Sequence, residues 1–276
     1  MEKLVGNKTS IAIRGTHGKL GSLVKQSFEA AAIKLVSIDR TTDLSLIKGP
    51  MIILDFTGPN PKNDSYWESF DLDKKLYEYT EFLEWARSTC SFYIRVGTIG
   101  EFSSHMTEYE YVARQISRTV NEYLAATNLD GCILYPSNIY GRKSLKNFVE
   151  VAMEGHFQRN GLTLENSNKV INFIHFDDMM DIIFKLVKES QFVQKDFPSF
   201  TLESPTFYAI SVLNEYIAKQ VVNFKDSREL KQELRRDVPL IDGNSKNIKS
   251  LLLPNKLKSY IDSTIMNETG CGTLVL

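Results

Sequence analysis

Short apolar runs alternate with stretches of helical periodicity along the first half of the chain. Thr9 to Ile13 is a β-branched run that stops at Gly15, and Leu20, Leu23, Val24 and Phe28 then recur at helical spacing, which predicts a helix over Leu20 to Ala32. Strands are predicted at Lys34 to Ile38, ending in Asp39, and at Met51 to Phe56, closed by the turn residues Gly58, Pro59, Asn60 and Pro61. Tyr66 to Arg87 is charged and aromatic at helical spacing. A strand at Ser91 to Val96, a helix at Glu108 to Ala126 and a strand at Gly131 to Tyr135 follow. Strands alternating with helices predict βαβ units, and right-handed crossovers turn these into an α/β, doubly wound parallel sheet.

After Gly141 the segments shorten. A helix is predicted near Leu145 to Glu154, a strand near Val170 to Ile174, and helices near Asp178 to Glu189 and Val212 to Val221. No repeat or Gly/Ser linker separates the two parts. The expected organisation is therefore a core over residues 1–141, with residues 142–276 mainly a smaller substrate-capping region interleaved with it.

Composition narrows the function classes. A chain of 276 residues buries enough surface to do without a disulfide or metal staple. With 33 basic and 34 acidic residues the formal charge is −1, which argues against a nucleic-acid partner. The longest basic run, Lys231 to Arg236, includes Glu233 and reads as a solvated helix face. The three cysteines, Cys90, Cys132 and Cys271, have no metal-ligand spacing, and no His/Cys/Asp cluster points to zinc or iron, so no metal is expected. No stretch reaches the roughly 18 apolar residues of a membrane span. Met1 to Ser10 is too polar for a secretory leader, so a cytoplasmic protein is expected.

The sharpest chemistry lies between the first strand and the first helix, in Gly15-Thr16-His17-Gly18-Lys19-Leu20-Gly21. Gly15 allows the tight turn, Gly18 lets backbone approach a phosphate, and Gly21 lets helix and strand pack closely. The helix N-terminus offers N–H groups and a partial positive charge to a pyrophosphate. Asp39 follows at roughly the 20-residue offset where a carboxylate accepts from ribose hydroxyls. These features predict a Rossmann-like dinucleotide site for NAD or NADP. Arg40 either pairs with the 2′-phosphate of NADP or is a solvated loop cation, and Arg14 either reaches phosphate or caps the sheet edge.

The Gly-x-x-Gly-x-x-Gly spacing resembles that of the extended short-chain dehydrogenase/reductases, in their NAD-dependent epimerase/dehydratase branch. Four later segments agree. Asp55-Phe56-Thr57-Gly58-Pro59 resembles the strand-three exit whose backbone lines the cofactor, and Val96-Gly97-Thr98 the segment with the active-site Ser/Thr. Ile133 to Gly141 is similar to the Leu-Arg-Pro-x-Asn-Val-Tyr-Gly signature, and Phe173 to Asp178 to the Phe-Val-His-Val-Asp-Asp segment. The tail, Ser211 to Leu213 and Asp242 to Leu252, is similar as well. The resemblance implies cofactor contacts at His17, Lys19 and Leu20 in the glycine loop, at Asp55, Thr57 and Gly58, and at Pro136 and Asn138.

The family's catalytic pair is a Tyr with a Lys four residues later, whose charge lowers the phenol's pKa. Here Tyr111 best matches the tyrosine, and Gln115 stands where the Lys belongs. Tyr109 would put Ala113 there, and Arg114 lies about 100° around the helix from the Lys direction. Gln115 can hydrogen-bond a ribose but carries no charge. The family's Arg-Asp pair on nucleotide-sugar diphosphate is replaced by Ile171 and Asn172, leaving Asn138, Arg142 and Lys169 as substrate candidates. His105 is an outside candidate for a proton donor, His175 reads as structural, and Asp177 and Asp178 read as helix-capping. Ser103 and Ser104 lack a nucleophile elbow. The implied function is reduction of a keto group on a nucleotide-activated sugar by Thr98 and Tyr111, in a possible homodimer. A catalytically weakened dinucleotide-binding protein and a reductase of a small carbonyl metabolite remain open.

Overall fold

Strands β1 (Ser10–Arg14), β2 (Leu35–Ile38), β3 (Met51–Asp55), β4 (Cys90–Val96) and β5 (Gly131–Pro136) pair in parallel, β1 lying between β2 and β3. This computed structural model describes residues 10–59, 67, 70–158, 169–189, 199–222 and 248–268. The full sheet has seven strands, ordered β10-β8-β5-β4-β3-β1-β2, with β8 at Ser199–Glu203 and β10 at Ile248–Leu252. The chain steps from β1 to β2 on one side and returns to β3 on the other, so the order reverses at the carboxyl ends of β1 and β3. Ligands of open α/β sheets sit at such a reversal. The α/β sheet expected from the sequence is present. Thr9, Asn60, Pro61, Tyr66, Lys231 to Arg236, Asp242 to Asn247 and Cys271 lie outside the described residues.

Helices α1 (Lys19–Ala30), α2 (Leu72–Thr89) and α3 (Glu108–Ala126) follow β1, β3 and β4. Helix α2 starts at Leu72 because Asp71 caps it, its carboxylate accepting from the Lys74 N–H at 2.9 Å. Helix α3 starts at Glu108 because Thr107 and Glu110 form a reciprocal capping box. Val112, Ile116 and Val120 of α3 and Tyr79, Leu83 and Ala86 of α2 pack with Ile53, Tyr93 and Ile133 of the sheet in one buried core.

The chain divides into two compact units, and each is described by itself. The first comprises Met1–Pro136, Met180–Thr201 and Pro239–Ser250, and the second Ser137–Met179, Leu202–Val238 and Leu251–Leu276. The second unit carries β6 (Asn138–Tyr140), parallel to β7 (Val170–His175), which pairs antiparallel with β9 (Phe207–Ala209). Helices α4 (Phe148–Phe157), α6 (Ile210–Val222) and α7 (Leu257–Glu268) give it a separate core, in which Val149, Leu213, Ile217, Leu257 and Ile261 are buried around Tyr140 and Phe173. The helix α5 (Phe176–Lys188) has Asp177 and Asp178 in its first turn, where carboxylates oppose the positive helix end.

Candidate functional site

Backbone geometry assigns the three loop glycines different duties. Gly15 sits at φ +87°, and a Cβ there would lie 3.0 Å from the backbone of Phe56 and Thr57, so only glycine fits. A Cβ on Gly21 would stand 2.3 Å from the Gly15 carbonyl oxygen, so this glycine lets α1 close against the end of β1. Gly18 differs from both. It is exposed, its φ of −74° is ordinary, and an added Cβ would meet only the Gly15 carbonyl oxygen at 3.3 Å. Gly18 caps α1, and the first helical turn holds no acidic residue, so the positive helix end faces an incoming anion unopposed. His17 and Lys19 are exposed beside it, and Leu20 is half-buried.

Asp39 stands just beyond β2. Its Oδ1 accepts from the Thr41 N–H at 2.9 Å, the Thr41 hydroxyl at 2.8 Å and the Thr42 hydroxyl at 3.0 Å. These bonds, those of Thr41 foremost, hold the carboxyl down at about 2. Its Oδ2 is not used by the threonines and lies 3.6 Å from His17 Nε2. An ionised acceptor with one oxygen to offer, beside a glycine cradle that a larger residue would fill, fits the ribose and pyrophosphate of a dinucleotide. A cleft of about 570 Å³ opens beside it, with Asp39, Arg40 and Thr42 on one wall and Lys74, Lys75 and Phe82 of α2 on the other.

The ends of β3 and β4 are built differently. Asp55 is fully buried and forms an ion pair with Arg14 at 3.2 Å. Its other donors are the Tyr93 hydroxyl at 2.5 Å and the Thr57 N–H and hydroxyl at 2.8 and 2.6 Å. Burial pushes the Asp55 carboxyl up, but Arg14 and Arg95 overcome it and hold the group below the usual carboxylate range. Arg95, buried in β4, donates to the Thr57 carbonyl and the Tyr79 hydroxyl, each at 3.1 Å, and to the Ser117 hydroxyl at 3.0 Å. Arg14 stacks over Phe82 at 3.8 Å and closes this cluster. The Asp55 side chain is thus fully occupied, while exposed Gly58 leaves the strand-three backbone open.

Thr98 caps a short 3₁₀ turn at Ile99–Phe102. Its hydroxyl oxygen accepts from the Gly100 N–H at 3.3 Å, which leaves the hydroxyl proton to donate. Its own N–H donates to buried Glu101 at 3.0 Å, and burial raises the Glu101 carboxyl against the pull of Arg95. In the first turn of α3 the tyrosines separate. Tyr109 lies on the buried side of α3, where burial and Glu101 push its phenol up. Tyr111 lies on the outer side at 47% exposure. Gln115 is half-buried on the same side as Tyr111, and exposed Arg114 approaches the Met106 sulfur at 3.9 Å instead of a tyrosine. His105 is exposed, its N–H bonded to the Ser103 hydroxyl at 3.2 Å. Pro136 is buried at the end of β5.

In the second unit, Asn138 donates its side-chain amide to the Asn172 carbonyl at 3.2 Å. Arg142 pairs with Asp177 at 2.5 Å and lies over the Phe176 ring, and Lys169 is exposed. Asn172, where the family has a charge, is a buried clip that donates to the Ser204 and Thr206 carbonyls at 2.7 and 2.9 Å. His175 packs edge-on against Tyr140 and Tyr260, and burial lowers its pKa. Among the described residues there is no group of three metal-ligating side chains, and no helix is long and apolar enough to cross a membrane.

Fold and loop define a Rossmann-like α/β protein with a glycine-cradled helix N-terminus at the sheet's reversal point. Residues 85–197 match the model of the NAD dependent epimerase/dehydratase family, which upholds the resemblance to extended short-chain dehydrogenase/reductases. No curated protein sequence matches the chain. Among solved structures, the UDP-N-acetylglucosamine 4-epimerase from Bacillus cereus is similar at TM-score 0.67 and 14% identity, covering 97% of this chain and 99% of that one. The NAD dependent NDP-hexosamine 5,6-dehydratase TunA is similar at TM-score 0.64 and 15% identity, covering 95% and 98%. MoeE5, solved in complex with UDP-glucose and NAD, is similar at TM-score 0.59 and 11% identity, covering 91% of each chain. At such identities the likeness is one of fold.

Sequence reasoning missed Arg95, Glu101, Lys75 and the tyrosines Tyr79 and Tyr93. Arg95 left a signal: a charge inside the apolar run Phe92-Tyr93-Ile94-Arg95-Val96 must find partners when buried. The others acquire their roles only through contacts between segments distant in the chain.

Proposed function

We propose that this chain is an NAD(P)-dependent oxidoreductase of the extended short-chain dehydrogenase/reductase type that reduces a keto group on a nucleotide-activated sugar. The observation that carries the reading is the pairing of a glycine cradle, in which Gly18 alone has outward room, with an Asp39 carboxylate held ionised beside it. The backbone of Gly15 to Gly21 would hold the pyrophosphate, Asp39 Oδ2 a ribose hydroxyl, and the Thr57-Gly58 backbone the stretch beyond. The bound dinucleotide supplies the hydride.

The chain's own residues supply the rest. The Thr98 hydroxyl donates to the substrate carbonyl oxygen and so stabilises the charge that develops there. Tyr111 gives its phenolic proton to the same oxygen, and the exposure of Tyr111 leaves that proton accessible. Gln115 can hydrogen-bond a ribose hydroxyl but carries no charge of its own, which suits a protonated donor better than a phenolate base. Lys169, exposed, is the cation this reading gives to the diphosphate, because Arg142 is already engaged by Asp177. The nucleotide-sugar assignment is supported by the neighbours' substrates and by the family match over residues 85–197.

The test is a panel of UDP- and dTDP-linked 4-keto sugars incubated with NADH or NADPH, followed by absorbance of the reduced nicotinamide. Oxidation of the cofactor with formation of the hydroxy sugar supports the reading. Gln115 in place of the lysine favours one other reading, a dinucleotide-binding protein without turnover. That reading takes over if cofactor binds and no keto sugar is consumed.

A further inference from the structure

Beneath the Thr98 turn lie two oppositely charged residues that the proposed reaction does not yet use. Arg95 and Glu101 are each 1% exposed. Burying such side chains is costly unless each finds partners, so their partners show what they do. Glu101 Oε1 accepts from the Thr98 N–H at 3.0 Å. In return the Thr98 hydroxyl oxygen accepts from the Gly100 N–H at 3.3 Å and from the Glu101 N–H. Both lone pairs of that hydroxyl are thereby taken, so it can only donate. The carboxyl is held from its other side as well. Burial raises it, while the Arg95 charge and the Ser117 hydroxyl draw it back. Arg95 itself donates to the Ser117 hydroxyl on α3 at 3.0 Å and to the Thr57 carbonyl beyond β3 at 3.1 Å. Gly97 supplies the room for this arrangement. A Cβ there would stand 2.5 Å from Glu101 Oε1 and 3.1 Å from the Tyr135 ring.

We infer that Arg95 and Glu101 are a positioning pair, which sets the Thr98 hydroxyl as a donor and holds its turn in register with the helix that carries Tyr111. The inference rests on the proposed reduction and adds the residues that aim its carbonyl-binding donor. Both are too deeply buried to meet a ligand, and they act through Thr98. One guanidinium bridges the three segments the reaction needs. It reaches the Thr57-Gly58 backbone directly, α3 through Ser117, and the Thr98 turn through Glu101. Thr98 and Tyr111 must converge on one carbonyl oxygen, so a shift of the turn against α3 would part them. A misplacement of about 1 Å can cost about 10²-fold in rate.

The experiment follows keto-sugar reduction, nicotinamide-cofactor affinity and hydrogen exchange of the Thr98 amide by NMR, in the wild type and in Glu101→Ala, Glu101→Gln and Gly97→Ala. Glu101→Ala removes the acceptor, Gly97→Ala displaces it without removing the carboxyl, and Glu101→Gln keeps an oxygen in its place. The expected result is a fall of about 10–100-fold in kcat for Glu101→Ala and Gly97→Ala, with substrate KM and NADH affinity changed less than about twofold. The Thr98 amide exchanges faster in both, and Glu101→Gln recovers most of the rate and of the protection. A pair that served stability alone would lower the melting temperature and leave the kcat of the folded protein unchanged, and that result overturns the inference. So does a Glu101→Gln protein as slow as Glu101→Ala, since its oxygen is still there to accept. Should Glu101→Ala fold poorly because Arg95 loses a partner, Gly97→Ala and Glu101→Gln carry the test. In each of these cases turnover by the wild type leaves the proposed function standing. If the wild type binds cofactor and consumes no keto sugar, both fall.

Discussion

The carboxyl ends of β1 and β2 and those of β3 and β4 lie in one sheet and carry similar residue types, yet they use charge in opposite ways. At the first, Asp39 keeps an oxygen to offer, Gly18 faces outward, and Arg40 has no ion-pair partner among the described residues. At the second, Asp55, Arg95, Tyr93 and Thr57 form one bonded cluster, which Arg14 joins by reaching across from the end of β1, and Asp55 and Arg95 lose essentially all contact with solvent. A carboxylate at a strand end is therefore not a ligand contact by position alone. The lesson is to ask whether its lone pairs are already taken. Asp55 has the more suggestive place, at the reversal of strand order, and the smaller capacity to bind anything.

The widest separation between the two ends is in folding. Asp55→Asn leaves Arg14 and Arg95 without their shared anion and should cost about 3–5 kcal/mol of stability by urea unfolding. Because the folded Asp55 carboxyl is held below its usual range, its contribution is fully present above the unfolded value of about 3.9 and is lost as pH falls through the lower folded value. The difference between wild type and Asp55→Asn should accordingly narrow below about pH 4. An Asp55→Asn protein of full stability that has lost cofactor binding would reverse the comparison.

Next comes the glycine pair. Gly18→Val, whose Cβ meets only one carbonyl oxygen at 3.3 Å, should fold normally and lose dinucleotide binding by calorimetry. Gly21→Ala, whose Cβ would stand 2.3 Å from backbone, should instead lose roughly 1–3 kcal/mol of stability, read as a lower melting temperature. The tyrosines extend the open-versus-closed contrast to α3. Tyr111→Phe should lower the rate of keto-sugar reduction by about 10²–10⁴, with substrate KM little changed. Tyr109→Phe, on the buried side, should act on melting temperature instead. Activity lost in Tyr109→Phe and kept in Tyr111→Phe would place the proton donor on the inner side of the helix. The smallest expected effect is that of Asp39→Ala, a loss of about tenfold in NADH affinity and less in NADPH affinity, since the change also removes a negative charge near the 2′ position. Equal losses for both would mean that Asp39 orders its loop without touching ribose.

How much of this was legible in the sequence depends on the range of the interaction. Helix α3 is readable to both ends, because its periodicity and the Thr107–Glu110 capping box are local. The same holds for the glycine loop and for the acidic residue after β2. Short strands such as β6 and β9, three residues each, leave too little alternation to be seen. Helix α7 shows its signal in Leu257, Ile261 and Ile265, but it lies beyond Leu252, where the tail's family likeness ends, and the sequence reading includes no helix there. The occupied state of Asp55 is beyond sequence reading, since Tyr93 and Arg14 reach it from 38 and 41 residues away. The cation cluster of the cleft is hidden for the same reason: Lys75 meets Arg14 and Arg40 only once α2 has packed.

The threonines that grip Asp39 have a consequence for what binding would cost a ligand at this corner. A free aspartate samples its rotamers and must stop when a ribose arrives, and that loss of freedom is charged against the complex. Here Thr41 and Thr42 have already stopped it during folding, with three hydrogen bonds to the same oxygen. The second oxygen is aimed before anything binds. Under the proposed function a ribose arriving at this corner would meet a side chain already ordered, so less rotamer freedom would be lost on binding than with a free aspartate. Replacing both threonines by valine would keep the carboxylate and return its mobility. Under the proposed function the cofactor would then meet the same charge but pay for ordering it, and would be held more weakly.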